Sequence, residues 1–213
     1  YGPSLPIALG LVEQPKMTPN KKLIPLDKYG MKVMSFGFIS GNKSPVIWRG
    51  PLVSRMTEQF FMDVEWGDLD TLILDLPPGT GDIQMALSRL LPQAELIVIT
   101  TPQLMAQKVA TRVADMAKRS FIPLLGVIEN MSYMEVDGNK LYPFGKDGGK
   151  DLSKKLDVPI LGEMPLQEEI TVASEGSDLF AFKNNPNFKN VIDIANEILK
   201  FQPKKKPIDL KIN

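Results

Sequence analysis

The chain has 213 residues, with 25 basic and 25 acidic side chains, so its formal net charge is zero. It contains no cysteine and no histidine, which excludes an ordinary zinc site, a thiolate-held iron–sulfur cluster and Cys–His or Ser–His catalysis within these residues. Because basic and acidic side chains are equal in number, the chain lacks the excess of positive charge that is typical of nucleic-acid-binding domains. No apolar run reaches the ~20 residues that span a bilayer. We therefore expect a soluble, cytoplasmic protein that binds neither nucleic acid nor membrane.

Short apolar runs alternate with helical patterns along the chain. In chain order they predict a strand at 32–39, a helix at 52–64, a strand at 71–76, a helix at 83–91, a strand at 95–100, a helix at 103–119, strands at 123–129 and 158–164, and a helix at 188–201. This alternation predicts an α/β fold, a mainly parallel sheet with helices on both faces. Ligands of such sheets bind at the carboxyl ends of the strands, so the residues that follow each strand are the candidate site residues.

Two segments depart from the alternation. Residues 132–142 carry Asp137-Gly138 between short apolar-polar runs, a pattern that predicts a hairpin. Residues 203–213 contain three consecutive lysines between prolines and are predicted to form a basic, solvated tail. We therefore expect one domain over 1–202, followed by that tail.

The motif DLPPGTGD, which starts at Asp75, directly follows a predicted buried strand. A carboxylate at a strand end suits the binding of Mg²⁺ through water beside a phosphate chain. Glycines such as Gly79 let the backbone approach a phosphate closely. The alternative is a tight turn into a helix that is capped by Thr80 or Asp82.

Three further loops follow predicted strands. The amide of Asn130 supplies both a donor and an acceptor, which suits reading the edge of a purine base. Pro165 and Leu166 form a proline-stiffened loop that is suited to line a base pocket, and residues 100–102 bring two hydroxyls to the same edge. For each loop the alternative is a plain strand exit or the start of a helix.

The sequence has no phosphate-binding G-x-x-x-x-G-K-[ST] motif. The nearest approach is GKDGGKD at 145–151, which has no hydroxyl after Lys150. The carboxylates of Asp147 and Asp151 would also repel a phosphate. We therefore interpret this segment as the glycine-rich start of a helix.

Taken together, these segments resemble the Mrp/ApbC family of iron–sulfur cluster carrier ATPases, which are related to MinD, ParA and the nitrogenase iron protein. The resemblance covers residues 1 to about 180. It implies a P-loop NTPase fold that binds ATP with magnesium, forms a homodimer and passes iron–sulfur clusters to apoprotein clients. The matching segments are YGPSLP at 1–6, VIWRGP at 46–51, DLPPGTGD at 75–82, TPQ at 101–103, ENMSY at 129–133, FG at 144–145 and GEMPL at 162–166.

The resemblance also implies roles for individual residues. Asp75 matches the switch aspartate that senses the γ-phosphate through the magnesium shell, and Gly79 belongs to the same switch. Asn130 matches the asparagine that reads adenine. Pro165 and Leu166 match the loop beside the base.

The first departure from the family pattern concerns the phosphate site. Family members carry a lysine-rich P-loop, its strand and its helix before the segment that corresponds to YGPS. Neither the catalytic lysine nor the metal-binding hydroxyl of that loop is present in these residues. We therefore expect a truncated domain that hydrolyses ATP weakly or not at all, and whether the chain is an enzyme stays open.

The second departure concerns the cluster. Many family members place Cys-x-x-Cys between the positions of Tyr133 and Phe144, but residues 134–140 contain no thiol. Glu135 and Asp137 are hard oxygen ligands and replace thiolates poorly. Two alternatives therefore stay open: a MinD/ParA-like switch whose output is dimerisation, and a non-catalytic interaction domain of the same fold.

Overall fold

The structure is a computed structural model that describes residues 4–40, 50–76, 87, 89–176, 185 and 188–201. Its helices are α1 (Ser4–Ala8), α2 (Phe36–Ser40), α3 (Gly50–Met62), α4 (Leu104–Arg119), α5 (Gly148–Leu156), α6 (Glu168–Glu175) and α7 (Lys189–Lys200). Its strands are β1 (Leu26–Lys28), β2 (Met31–Val33), β3 (Leu96–Thr100), β4 (Leu124–Glu129), β5 (Met134–Val136), β6 (Asn139–Leu141) and β7 (Ile160–Glu163). The described residues form two compact units, a first within Tyr1–Leu90 and Val172–Ala181 and a second within Leu91–Thr171 and Phe182–Pro203.

The second unit is built on a three-stranded parallel sheet with the order β3-β4-β7. Val98 pairs with Val127, and Val127 pairs with Ile160. Ala114 of α4 and Leu152 of α5 pack with these strands in one apolar core. A short apolar run becomes a central strand here because a helix layer and both neighbouring strands remove it from water. This sheet and its helices confirm the predicted α/β fold class.

The predictions for the second unit are largely confirmed. The predicted strands 95–100, 123–129 and 158–164 and the predicted helices 103–119 and 188–201 are present, with ends that shift by one or two residues. The predicted hairpin is also present, because β5 pairs antiparallel with β6 across Asp137 and Gly138. Both turn residues have positive φ, of 50° and 74°, as a tight hairpin turn requires.

The first unit contains the β1–β2 hairpin and helix α3, which confirms the predicted helix 52–64. The predicted strand 32–39 is wrong beyond Val33, where β2 ends and α2 follows. The Gly37 N–H donates to Ser35 Oγ at 3.1 Å, so Ser35 caps the start of the helix. The Phe36 ring also packs on Phe60 at a centroid distance of 4.6 Å.

The predicted strand 71–76 is also wrong, because these residues form neither a strand nor a helix. Ile73 is 86% exposed. A strand satisfies its backbone polar groups by pairing, and no strand among the described residues pairs with this segment.

Two predicted segments lie wholly or partly outside the described residues. Of the predicted helix 83–91, residues 87, 89 and 90 are described as helical. The predicted tail 203–213 lies outside the described residues. Within the described ranges, no helix is long and apolar enough to cross a membrane.

Candidate functional site

The carboxyl ends of β3, β4 and β7 meet at one edge of the parallel sheet. The Asn130 N–H donates to the Thr100 carbonyl at 2.7 Å, which joins the ends of β3 and β4. The Met164 N–H donates to the Glu129 carbonyl at 2.8 Å, which joins the ends of β4 and β7. Three loops that lie far apart in the sequence therefore form one continuous edge.

Further backbone hydrogen bonds join the loop after β4 to the loop after β7. The Ser132 N–H donates to the Met164 carbonyl at 2.8 Å, and the Leu166 N–H donates to the Tyr133 carbonyl at 2.6 Å. Pro165 is buried between these two bonds, whereas Leu166 is 38% exposed. The structure therefore brings together three of the predicted site residues, Asn130, Pro165 and Leu166.

The Asn130 side chain has an amide donor that no described residue uses. Its Oδ1 accepts a hydrogen bond from the Met131 N–H at 2.9 Å, and Met131 has a φ of 53°. An amide oxygen keeps a second lone pair after such a bond, and the amide nitrogen carries two donors. No described residue accepts a hydrogen bond from Asn130 Nδ2. The amide can therefore both donate to a ligand and accept from it.

The segment 145–151 forms the start of helix α5, as predicted. Asp147 is the N-cap residue and has a left-handed φ of 61°, but its side chain makes no capping hydrogen bond. The Gly149 N–H instead donates to Oε2 of Glu129. A carboxylate therefore already accepts one hydrogen bond from the first turn of this helix, and its negative charge disfavours a phosphate there.

Lys150 lies between two carboxylates at the end of β7. Its Nζ is 2.8 Å from Glu163 Oε1 and 3.0 Å from Asp147 Oδ1. Hydrogen bonds to Glu163 and then Asp147 raise the pKa of Lys150 above its ordinary value. The hydrogen bond from Lys150 lowers the pKa of Asp147. The cluster is partly exposed, so its charges face water beside the carboxyl edge of the sheet.

Asp75 belongs to the first unit, where it is exposed in a segment without regular structure. Gly79 lies outside the described residues. In the described ranges, no three Asp, Glu, His or Cys side chains cluster as metal ligands would. The magnesium role of Asp75 therefore stays a prediction.

Two further side chains shape the edge, Glu129 and Ser132, which lie in the matched segment 129–133 but have no role predicted from the sequence. Both are buried, with 1% and 3% of their surface exposed. An acidic residue at the last position of a buried strand is the one sequence signal that would have drawn attention to Glu129.

Solved structures place this fold in a class. A nucleotide-binding protein from Archaeoglobus fulgidus, in complex with ADP, matches 88% of this chain and 73% of its own, with a TM-score of 0.72 and 28% identity. The cell division ATPase MinD from Pyrococcus furiosus matches 93% of this chain and 81% of its own, with a TM-score of 0.62 and 15% identity, which supports the fold alone. The protein is an α/β domain of the P-loop NTPase class.

Sequence relatives identify the family. The model of the NUBPL iron-transfer P-loop NTPases, a ParA family, matches residues 1–199. The iron–sulfur cluster carrier protein of Bacillus subtilis is 40% identical over 200 residues, which cover 93% of this chain and 56% of the relative. The iron–sulfur cluster transfer protein NUBPL of Mus musculus is 35% identical over 204 residues, which cover 94% of this chain and 64% of the relative.

The chain therefore belongs to the NUBPL iron-transfer P-loop NTPase family, and the resemblance to Mrp/ApbC carriers is confirmed. The chain spans 56% and 64% of the lengths of these two relatives.

Proposed function

We propose that this chain supplies the base-binding part of an ATP-dependent iron–sulfur cluster carrier or assembly protein. The observation that supports the proposal most directly is the amide of Asn130, placed at the carboxyl end of β4 beside the Pro165–Leu166 loop. An asparagine amide pairs with adenine by donating to N7 and accepting from the N6 amino group. Guanine presents an oxygen at that second position, which would face Asn130 Oδ1 and be repelled. Asn130 would therefore select adenine over guanine.

The phosphate and metal functions are the second part of the proposal. Asp75 would organise Mg²⁺ through its water shell, and Gly79 would respond to the γ-phosphate in the same switch. Hydrolysis in this class works by positioning and charge stabilisation. Since these 213 residues contain no Walker A motif, we expect the chain alone to bind ATP weakly and to hydrolyse it poorly.

The cluster is cargo in this proposal, and we infer the transfer function from the names of the relatives. Without cysteine or histidine, these residues do not fit the thiolate ligation of a cluster, so its ligands would come from elsewhere. The proposed setting is a cytoplasmic homodimer that delivers clusters to apoprotein clients. The lack of thiols favours a second candidate, a MinD/ParA-like dimerisation switch.

Titration with adenosine tests the base-reading part without requiring a phosphate site. We expect adenosine to shift the NMR signals of the Asn130 side-chain amide and the Leu166 N–H at millimolar concentration, with guanosine producing no such shift. Asn130→Ala should abolish the Leu166 response. Asn139→Ala is the matched control, because Asn139 is an exposed asparagine of the same unit whose Nδ2 donates to the Asp137 carbonyl.

Equal responses to adenosine and guanosine would contradict base reading by Asn130. An adenosine response that survives in Asn130→Ala and is lost in Asn139→Ala would move the site to the β5–β6 hairpin.

A further inference from the structure

Glu129 is a buried acidic residue for which the proposed function gives no role. It ends β4, and only 1% of its surface is exposed. Among the described residues it is the one charged residue that is buried. A carboxylate that is removed from water is retained only where hydrogen-bond donors replace the solvent.

Both oxygens of Glu129 have such donors. Ser132 Oγ donates to Oε1 at 2.5 Å. The Gly149 N–H donates to Oε2, across 20 positions of sequence. A Cβ on Gly149 would lie 2.7 Å from the Glu129 Cβ, so only glycine lets the start of α5 approach this closely.

The contact with Gly149 replaces a missing helix cap. The Asp147 side chain makes no capping bond, and its φ of 61° is left-handed. Gly149 is the second residue of α5, and the N–H at this position normally donates a hydrogen bond to the side chain of the N-cap residue. Glu129 therefore caps α5 from the neighbouring strand, in a charge-assisted hydrogen bond that the helix dipole favours.

The contact with Ser132 closes the loop that carries Asn130. Within this loop Met131 has a φ of 53°, which a side chain of its size rarely adopts. A backbone in that region persists when its surroundings fix it from several sides. Here the fixing groups are the Thr100 carbonyl, the Met164 carbonyl and the Glu129 carboxylate.

We propose that Glu129 is a positioning residue, which holds the Asn130 loop through Ser132 and joins it to α5 through Gly149. The inference rests on the proposed base-reading function, because its consequence is that the Asn130 amide is held ready for a purine. This role requires no contact between Glu129 and the ligand. Loosening the loop would lower the fraction of molecules with Asn130 in the competent geometry, and the apparent affinity would fall by that fraction.

The test compares two serines that each make one short side-chain hydrogen bond within the second unit. Ser132→Ala removes the bond to Glu129. Ser153→Ala is the matched control, because Ser153 is 8% exposed and its Oγ donates to the Val158 carbonyl at 2.5 Å, away from the Asn130 loop. Glu129→Gln is the conservative variant, since a glutamine can accept from the Gly149 N–H and donate to the Ser132 hydroxyl.

The first readout is amide hydrogen exchange in the ligand-free chain. We expect Ser132→Ala to lower the protection of the Asn130 N–H about tenfold, with Ser153→Ala leaving it unchanged and Glu129→Gln retaining most of it. The second readout is the adenosine dissociation constant, which should rise about tenfold in Ser132→Ala only.

The outcomes separate this inference from the proposed function. Equal protection of the Asn130 N–H in Ser132→Ala and Ser153→Ala would overturn the positioning role, whatever the chain binds. A second outcome combines the expected tenfold loss of Asn130 N–H protection in Ser132→Ala with a wild-type chain that does not distinguish adenosine from guanosine. This outcome would overturn base reading but support the positioning role of Glu129.

Discussion

Strand β4 and residues 71–76 are both apolar runs of six residues with one acidic side chain at or near the end. In β4, Val127 is 0% exposed and Glu129 is 1% exposed, because β3 and β7 pair with the strand and helices α4 and α5 cover its side chains. In residues 71–76, Ile73 is 86% exposed and Asp75 is exposed too.

The difference shows what an apolar run requires to become a strand. Backbone polar groups of a central strand are satisfied by two neighbours, and its side chains are covered by helices. The carboxylate of Glu129 is fixed to within hydrogen-bond distance of two donors because its strand is fixed. Among the described residues, no paired strand fixes the position of Asp75. Its proposed role in metal binding therefore depends on further groups that would hold its carboxylate in place.

The largest expected difference in unfolding free energy is between the alanine variants of the two acidic residues, Glu129 and Asp75. Glu129→Ala leaves the Ser132 hydroxyl and the Gly149 N–H buried without an acceptor, at a cost of about 1–3 kcal/mol each. We expect the free energy of unfolding to fall by about 2–6 kcal/mol. Asp75→Ala should change it by less than about 0.5 kcal/mol, as exposed substitutions usually do.

Urea unfolding followed by circular dichroism measures both changes. Similar losses of stability in the two variants would show that Asp75 is as firmly held as Glu129, and the contrast between the two segments would fail.

A smaller effect is expected from the apolar side chains of the same two segments. Val127→Ala removes two buried methyl groups and leaves a cavity, so we expect a loss of about 2 kcal/mol in unfolding free energy. Ile73→Ala removes a larger but exposed side chain and should cost less than about 0.5 kcal/mol. A loss for Ile73→Ala that equals the loss for Val127→Ala would mean that residues 71–76 are covered in solution.

The smallest effect concerns the exposed ion pair beside the ordered edge. Lys150→Met removes the main cause that lowers the pKa of Asp147, so this pKa should rise toward its ordinary value of 3.8. Since the lowered pKa stabilises the fold above pH 3.8 and this contribution disappears as the pH falls through the folded value, the variant should lose part of its pH dependence below about pH 4.

An NMR titration of the side-chain carboxyl carbons checks the pKa of Asp147. Lys155→Met is the control on the same helix, because no contact of Lys155 contributes to the pKa of Asp147. A shift in Asp147 that is as large in Lys155→Met as in Lys150→Met would indicate a general charge effect instead of the specific hydrogen bond.

Much of the fold could be predicted because local patterns determine it. The Asp137-Gly138 turn specifies the β5–β6 hairpin, and the long periodic stretch at 103–119 specifies α4. The strand predicted at 32–39 failed because Ser35 caps a helix that the apolar pattern does not reveal. The strand predicted at 71–76 is wrong because a strand forms only where a neighbouring strand pairs with it. The apolar run itself does not encode that pairing.

The candidate site could also be predicted only in part from the sequence. Asn130, Pro165 and Leu166 could be predicted as neighbours because each follows a strand of one parallel sheet. The role of Glu129 could not be predicted, because it depends on Gly149, 20 positions away, and on the close approach that this glycine allows.

The proposed function requires adenine to bind between Asn130 and the loop that contains Leu166. The most direct measurement is a nuclear Overhauser experiment between adenosine and the methyl-labelled chain. We expect contacts from the adenine H2 or H8 proton to the Leu166 methyl groups, and we expect Asn130→Ala to lose them. Adenine contacts to methyl groups remote from this edge, with none to Leu166, would contradict it.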